Sequence, residues 1–229
     1  MEILERLLKQ NPVFASLNGK ERAAVMSLAV PRKVAKGEIL AHYADEWPYL
    51  FMMERGTIHG MKESREGRSL IVVGLEEPGE LFWGMAFFEE GTPMPVSLQA
   101  QKESRVWLWR REWLLPIMWG NGRFSWELSR LMVRRMQRAS DMVEELAFQP
   151  VRGRLARLLL GHFGDEAVDD FVARDMTLDE MAAHAGTKRE MVCRLLYEFA
   201  DEGAIEISRT EFMIADRKKL EGYSQQGKS

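Results

Sequence analysis

Hydrophobic and polar residues alternate with two different rhythms along this chain, and the change of rhythm divides it. Two short helical segments, about 2–10 and 18–29, open the sequence; the first, MEILERLLKQ, is amphipathic. From Lys33 to Leu108 the pattern is that of β-structure. Apolar runs such as Tyr49-Leu50-Phe51-Met52-Met53, Leu70-Ile71-Val72-Val73 and Val106-Trp107-Leu108 are short and rich in β-branched or aromatic residues. Turn signals separate them: Lys36-Gly37, Arg55-Gly56, Glu66-Gly67, Glu77-Pro78-Gly79 and Glu90-Gly91-Thr92-Pro93. Short strands at this spacing predict an antiparallel sandwich or roll.

The rhythm then turns helical. From Phe124 to Gln149 there is neither proline nor glycine. Met132, Met136, Ala139, Val143 and Leu146 recur at steps of four, three, four and three, the seam of a two-stranded coiled coil, with Arg134, Arg135, Arg138, Glu144 and Glu145 off it. A helix packed on its own domain would show a similar stripe; the length and regularity favour a dimer helix, with Ala139 allowing close approach. Pro150 ends the element. A second helix, Val151 to Phe163, carries Arg152, Arg154 and Arg157, and a looser acidic stretch runs from Gly164 to Asp175.

Composition adds little until charge is located. The chain is of ordinary globular composition and carries a net charge of −3, which does not advertise nucleic-acid binding. Any binding charge must therefore be local. No stretch approaches a membrane span, the N-terminus lacks a signal-peptide core, and a cytoplasmic location is expected. The single cysteine, Cys193, excludes an intrachain disulfide and a cysteine-ligated iron–sulfur cluster within one chain. Phosphate-loop, zinc-protease and nucleophile-elbow motifs are missing, and His42, His59, His162 and His184 show no metal-ligand spacing, so an enzyme is not expected and no metal site is assigned.

The segment from Thr177 to Leu196 carries the candidate chemistry. Thr177 with Glu180, and Thr187 with Glu190, each fit the S/T-x-x-E capping box, predicting two helix starts ten residues apart. Ala182 stands where two helices would cross, Gly186 where the chain would turn, and Val192 and Leu195 where the second helix would bury itself. This is the pattern of a helix-turn-helix. The N-terminal residues of its second helix reach base edges, and arginine suits guanine while glutamate accepts from cytosine. Arg189, Glu190 and Arg194 are therefore the base-reading candidates, and Thr187, Lys188, Arg152, Arg154, Arg157 and Arg209 the phosphate-contact candidates. Ile205–Ile207 and Phe212–Ile214 predict a small hairpin, a wing with Arg209 near its tip.

Over essentially its whole length the chain resembles the cyclic AMP receptor protein / FNR (Crp/Fnr) family of bacterial regulators. The matching pieces are Lys36-Gly37-Glu38, Gly56, Gly67, Pro78-Gly79-Glu80, the long helix, and Gly186-Thr-Lys-Arg189-Glu190-Met-Val-Cys-Arg194. The resemblance implies an α+β chain. Its parts would be an N-terminal cyclic-nucleotide-binding-like antiparallel β-roll (a double-stranded β-helix; 1–121), a long dimerisation helix (122–149) and a C-terminal winged helix-turn-helix (150–229). It further implies a homodimer on a palindromic duplex with TGTGA-like half-sites, and RNA polymerase as a partner if the protein activates.

The departures concern the effector. Where relatives that bind cyclic AMP carry a ribose-holding glutamate, this chain runs Phe82-Trp83-Gly84, and where they carry a phosphate-binding Arg-Ser it has Met94-Pro95. A buried anion without partners is costly, so cyclic AMP and cyclic GMP are not expected to bind. Phe82, Trp83, Gly84, Met85 and Met94, with Leu81, Phe87 and Phe88 nearby, would instead line an apolar effector pocket for an aromatic small molecule. Haem, held by His42, His59 or a methionine, is one alternative, and a pocket filled as core, leaving an interaction module, is another. A redox role for Cys193 stays open.

Overall fold

The computed structural model describes residues 1–164, 167 and 170–225. They fall into two compact units: Met1–Lys62 with Val72–Gln137, and Glu63–Ile71 with the residues from Arg138 onward.

The first unit begins with α1 (Glu2–Gln10), which buries Leu4, Leu7 and Leu8. Asn11 stops it and starts α2 (Pro12–Ala15): its side chain accepts from the Val13 N–H at 2.9 Å and donates to the Gly79 carbonyl at 2.8 Å. Asn18 and Glu21 form the capping box of α3 (Gly19–Leu28). Eight strands follow: β1 (Val30–Val34), β2 (Ile39–Ala41), β3 (Tyr49–Arg55), β4 (Ile58–Glu63), β5 (Ser69–Leu75), β6 (Leu81–Trp83), β7 (Ser97–Ala100) and β8 (Ser104–Arg110). They form two four-stranded sheets, ordered β1-β8-β3-β6 and β2-β7-β4-β5. One-turn helix α4 (Met85–Phe88) interrupts them, and α5 (Arg111–Gly120) follows β8. The tip of the β4–β5 hairpin, Glu63–Ile71, groups with the second unit.

Strand alternation sorts the apolar residues into two cores. Phe51, Met53, Phe82, Met94, Val106 and Leu108 face the roll interior. Leu50, Met52, Leu81, Trp83, Trp107 and Trp109 face the helices. Both faces of β3 are covered, which is why its sequence reads as one apolar run rather than an alternating one. On the helix side Trp109 donates from Nε1 to the Val25 carbonyl at 2.8 Å, and Phe14 packs against both Trp109 and Phe124.

Helix α6 (Gly122–Phe148) is the long helix of the sequence pattern. In the second unit, α7 (Val151–Phe163) follows Pro150, then β9 (Val172–Ala173), α8 (Leu178–Ala185), α9 (Arg189–Asp201), β10 (Glu206–Ile207), β11 (Glu211–Met213) and α10 (Arg217–Ser224). The strands pair antiparallel in the order β10-β11-β9. Leu155, Leu159, Phe163, Val192, Leu195, Phe199, Phe212 and Leu220 form the shared core. Five elements were not read from the sequence: α2, α4, α5, β9 and α10. β9 lies inside the stretch taken as loose, of which Asp165, Glu166, Val168 and Asp169 lie outside the described residues. Among the described residues no helix is long and apolar enough to cross a membrane.

Candidate nucleic-acid interface

Thr177 caps α8 as its sequence predicts: its Oγ1 accepts from the Glu180 N–H at 3.2 Å while Glu180 accepts from the Thr177 N–H at 2.6 Å. Gly186 ends α8 in the left-handed region, at φ +61°, where glycine alone carries no Cβ penalty. A Cβ there would also stand 2.7 Å from Leu146 Cδ2. Val192, Leu195 and Ala182 are all buried. These are the steric requirements of a helix-turn-helix.

The second capping box is not formed. The Thr187 N–H donates to the Ala182 carbonyl at 2.9 Å, and Lys188, without a side-chain cap, precedes α9. The left-handed turn uses one more residue than the sequence pattern allowed, so Glu190 falls at the second helical position, too early to reach back to Thr187. Both side chains are released from capping. Residues 189, 190, 194 and 197 are exposed and 193 half-exposed, forming the outward stripe of α9.

On that stripe Arg189 pairs with Asp179 at 3.0 Å, both side chains more than half exposed. Arg194 reaches Met191 Sδ at 3.0 Å and Glu198 at 3.5 Å. Lys188 meets Glu66, on the hairpin tip of the same unit, at 3.7 Å. Exposed pairs of this kind contribute about 0–1 kcal/mol, so a DNA ligand exchanges them at little cost. A cleft of about 470 Å³ lies here, lined by the hairpin residues Glu66 to Ser69 and by Asp179, Lys188, Arg189 and Glu190.

Three arginines expected on phosphates are engaged inside the domain instead. Arg154 is buried and donates to the Ala185 carbonyl at 2.8 Å and the Gln149 carbonyl at 2.6 Å, and burial lowers its pKa. Arg152 stacks on Tyr223 and Phe199, pairs with Glu202 at 2.6 Å and Glu198 at 3.5 Å, and has its pKa raised chiefly by the Glu202 hydrogen bond. Arg157 bonds Glu145 at 2.8 Å and Gln149 at 2.6 Å. Each has partners supplied by distant parts of the chain, which no local pattern announces. Arg209 is exposed on the wing, whose turn Ser208 pins by accepting from the Thr210 and Glu211 N–H groups. Two exposed or half-exposed residues at this surface were missed: Tyr197, on α9 itself and 66% exposed, and Arg174, immediately after β9.

The expected effector residues do not converge. Phe82 and Met94 lie in the roll interior, whereas Trp83 and Met85 pack with the helix-side core. Period-two alternation along β6 assigns neighbours 82 and 83 to different cores, although their rings still stack at 6.4 Å between centroids. A Cβ on Gly84 would stand 1.8 Å from the Trp47 carbonyl oxygen, so backbone already occupies that space. Arg135 of α6, read only as off the seam, stacks over Phe82 and Trp83 at 5.3 and 4.7 Å and donates to the Leu81 carbonyl. His59 is buried, 3.5 Å from Glu76, and His42 is exposed. Among the described residues no group of three His, Cys, Asp or Glu side chains is placed to hold a metal ion.

The seam residues of α6 differ in exposure. Met136 and Val143 are 69% and 67% exposed. Met132 packs against the helix-side core, and Leu146 lies near Gly186.

Comparison with known proteins agrees with this geometry. Residues 31–118 match the cyclic nucleotide-binding domain and residues 153–223 the Crp-like helix-turn-helix domain. The chain is 27% identical over 221 residues to a cyclic AMP receptor protein of Thermus thermophilus, covering 93% of this chain and 97% of the relative. It is 25% identical over 223 residues to a CRP-like cAMP-activated global transcriptional regulator of Mycobacterium tuberculosis, covering 95% and 98%. A crystal structure of a regulator of the crp/fnr family from Eubacterium rectale, 23% identical, superposes with a TM-score of 0.80 over 94% of this chain and 98% of that one. With a cyclic-nucleotide-binding-type roll, a helix-turn-helix and full-length relatives of this kind, the chain belongs to the Crp/Fnr family of DNA-binding transcription regulators.

Proposed function

We propose that the protein is a homodimeric regulator that reads a palindromic duplex with the first turns of α9, using Arg189, Glu190 and Arg194 on base edges and Thr187, Lys188 and Arg209 on phosphates. The observation that carries this reading is the outward stripe of α9, where Arg189 and Glu190 are exposed at the helix start behind an αL glycine turn. The exposed apolar middle of α6 supports the dimer, and the arginine–glutamate pair supports a G·C-containing half-site of the TGTGA type. Membership of the family supports a cytoplasmic location and, for an activator, RNA polymerase as partner.

The test is competitive binding of the protein to a duplex with two such half-sites and to its scrambled counterpart at fixed salt. Arg189→Ala should lower the preference at one base position by about 1–3 kcal/mol. An unchanged preference ratio would remove Arg189 from base reading.

The relatives from Thermus thermophilus and Mycobacterium tuberculosis are named for cyclic AMP; we read this roll as one that does not take it. Gly84, Met94 and Pro95 offer neither a carboxylate nor a cation, and Trp47 backbone occupies the space beside Gly84. Titration calorimetry with cyclic AMP should show no binding heat; saturable heat would reverse this reading.

A further inference from the structure

We infer that Arg135 is a built-in ligand: its guanidinium holds α6 to the roll where an effector would have to act, so the chain reads DNA with no small molecule bound. This rests on the reading of the protein as a dimeric DNA binder and names how that reader is controlled.

The site is made by a sheet edge. β6 is the last strand of its sheet, with β3 on one side only. The Met53 N–H donates to the Glu80 carbonyl at 2.8 Å and the Gly84 N–H to the Tyr49 carbonyl at 2.9 Å, so residues 80, 82 and 84 turn their backbone groups toward β3. Leu81 and Trp83 turn theirs to the open edge. There the carbonyl of Leu81, a residue only 2% exposed, accepts from Arg135. A buried carbonyl left unpaired is costly, so the bond closes the edge as well as holding the helix. The same guanidinium lies 5.3 Å from the Phe82 ring centroid and 4.7 Å from that of Trp83, and ring faces attract a cation. Two aromatic rings and an edge carbonyl make an organic-cation site, and the chain fills it with its own side chain.

Behind Phe82 the roll interior is packed with side chains. Phe51 meets Phe82 and Trp47 at 5.8 Å between ring centroids in each case, and Met94 and Leu108 are buried with them. The clamp also sits where it can be felt. Arg135 is the last arginine of the first unit, two residues before that unit ends within α6. Its neighbour Met136 belongs to the outward stretch proposed for self-association. Fixing one side chain of a helix fixes the helix's rotation about its axis, and with it which residues face outward. An effector shifts a regulator only by favouring one arrangement over another. Here a tethered side chain supplies that preference, and the binding-competent state is populated without a ligand.

The experiment compares the exhaustively dialysed wild-type chain with Arg135→Ala, Arg135→Lys and Arg134→Ala, by sedimentation and by binding to two-half-site, scrambled and random-sequence duplexes at fixed salt. Wild type should self-associate and prefer the two-half-site duplex with nothing added. Arg135→Ala should weaken self-association and two-half-site binding by about tenfold, the scale of one charged hydrogen bond and two cation–π contacts partly replaced by water. Arg134→Ala, which removes the same charge from an exposed neighbour, should match wild type. Arg135→Lys should fall between, because an ammonium keeps the charge but lacks the guanidinium plane. Adding millimolar ethylguanidinium to Arg135→Ala, with equal sodium chloride as the salt control, should restore both measurements. A site lost through misfolding would not respond, and thermal melts check folding directly. Wild-type behaviour of Arg135→Ala would overturn the clamp while leaving the DNA reading intact. A loss that ethylguanidinium leaves unrelieved would overturn it too, reducing Arg135 to a structural residue. A wild-type chain whose operator preference appears only when a small molecule is added would overturn the effector-free state. A wild-type chain that binds no duplex, random or specific, would overturn the DNA reading and the control inferred here together.

Discussion

Gly186 is constrained twice: its backbone sits at φ +61°, and a Cβ would press on Leu146 and Leu70 at 2.7 and 3.3 Å. The left-handed conformation alone costs an L-residue roughly 1–2 kcal/mol, and the two leucines would have to yield as well. Gly186→Ala should therefore lower unfolding stability by at least about that amount in urea titration, whereas a change within ±0.5 kcal/mol would show that neither constraint is felt. Glu202 offers a pH-dependent counterpart. The hydrogen bond from Arg152, and after it that from Tyr223, holds its carboxyl below the usual glutamate range. A carboxyl whose folded pKa is depressed stabilises fully above its unfolded value and loses that contribution as pH falls through the folded one. Glu202→Gln should thus be less stable than wild type near neutrality, with the gap closing below about pH 4. Urea midpoints at the two pH values check this; a gap that persists in acid would mean the carboxylate charge is not what matters.

At the scale of elements, legibility followed the range of the cause. The boundaries of α1, α7 and α8 are set by neighbours in sequence, such as Pro150 before α7 and Thr177 with Glu180 at α8, and the pattern predicts them closely. β9 and α10 exist because β11 and α7 offer them a surface, so no local periodicity marks them. The same division separates the arginines: Arg189 is outward by its position at a helix start, but Arg152 is taken by Glu198, Glu202 and Tyr223, far along the chain. Phe82 and Trp83 share aromatic character, and the three-residue strand that assigns them to different cores is too short for its alternation to announce this in the sequence. The β4–β5 hairpin tip makes an element-scale prediction. Glu66 lies beside Lys188 at the reading end of α9, where it would repel an approaching phosphate. Glu66→Gln should tighten binding to a random-sequence duplex a few-fold at low salt, with the gain fading as salt screens the charge. Equal affinity at low salt would show that the hairpin carries no electrostatic weight there.

At the scale of the whole molecule, the proposed two-fold symmetric operator would require a two-fold symmetric protein, and the exposed middle of α6 is our proposed self-complementary face. The ends of its seam are committed within the chain, Met132 to the helix-side core and Leu146 to the turn at Gly186. The helix thus packs on its own chain at either end and leaves Met136, Ala139 and Val143 outward in the middle. Val133, one position beyond Met132, and Trp126, nearly two turns earlier, are also exposed and extend the apolar surface toward the start of the helix. A glutamate placed at Val143 would sit in solvent in a lone chain, where the cost is within about 0.5 kcal/mol. In a dimer the same substitution brings two carboxylates together at a seam position, and neither has a partner to offset its desolvation. Val143→Glu should therefore sediment as a monomer with an unchanged melting profile at low concentration. It should keep weak binding to random duplex while losing most of its preference for two half-sites over one, because that preference depends on tethering two readers. A variant that stays dimeric at the same concentration would place the self-association surface elsewhere than the middle of α6.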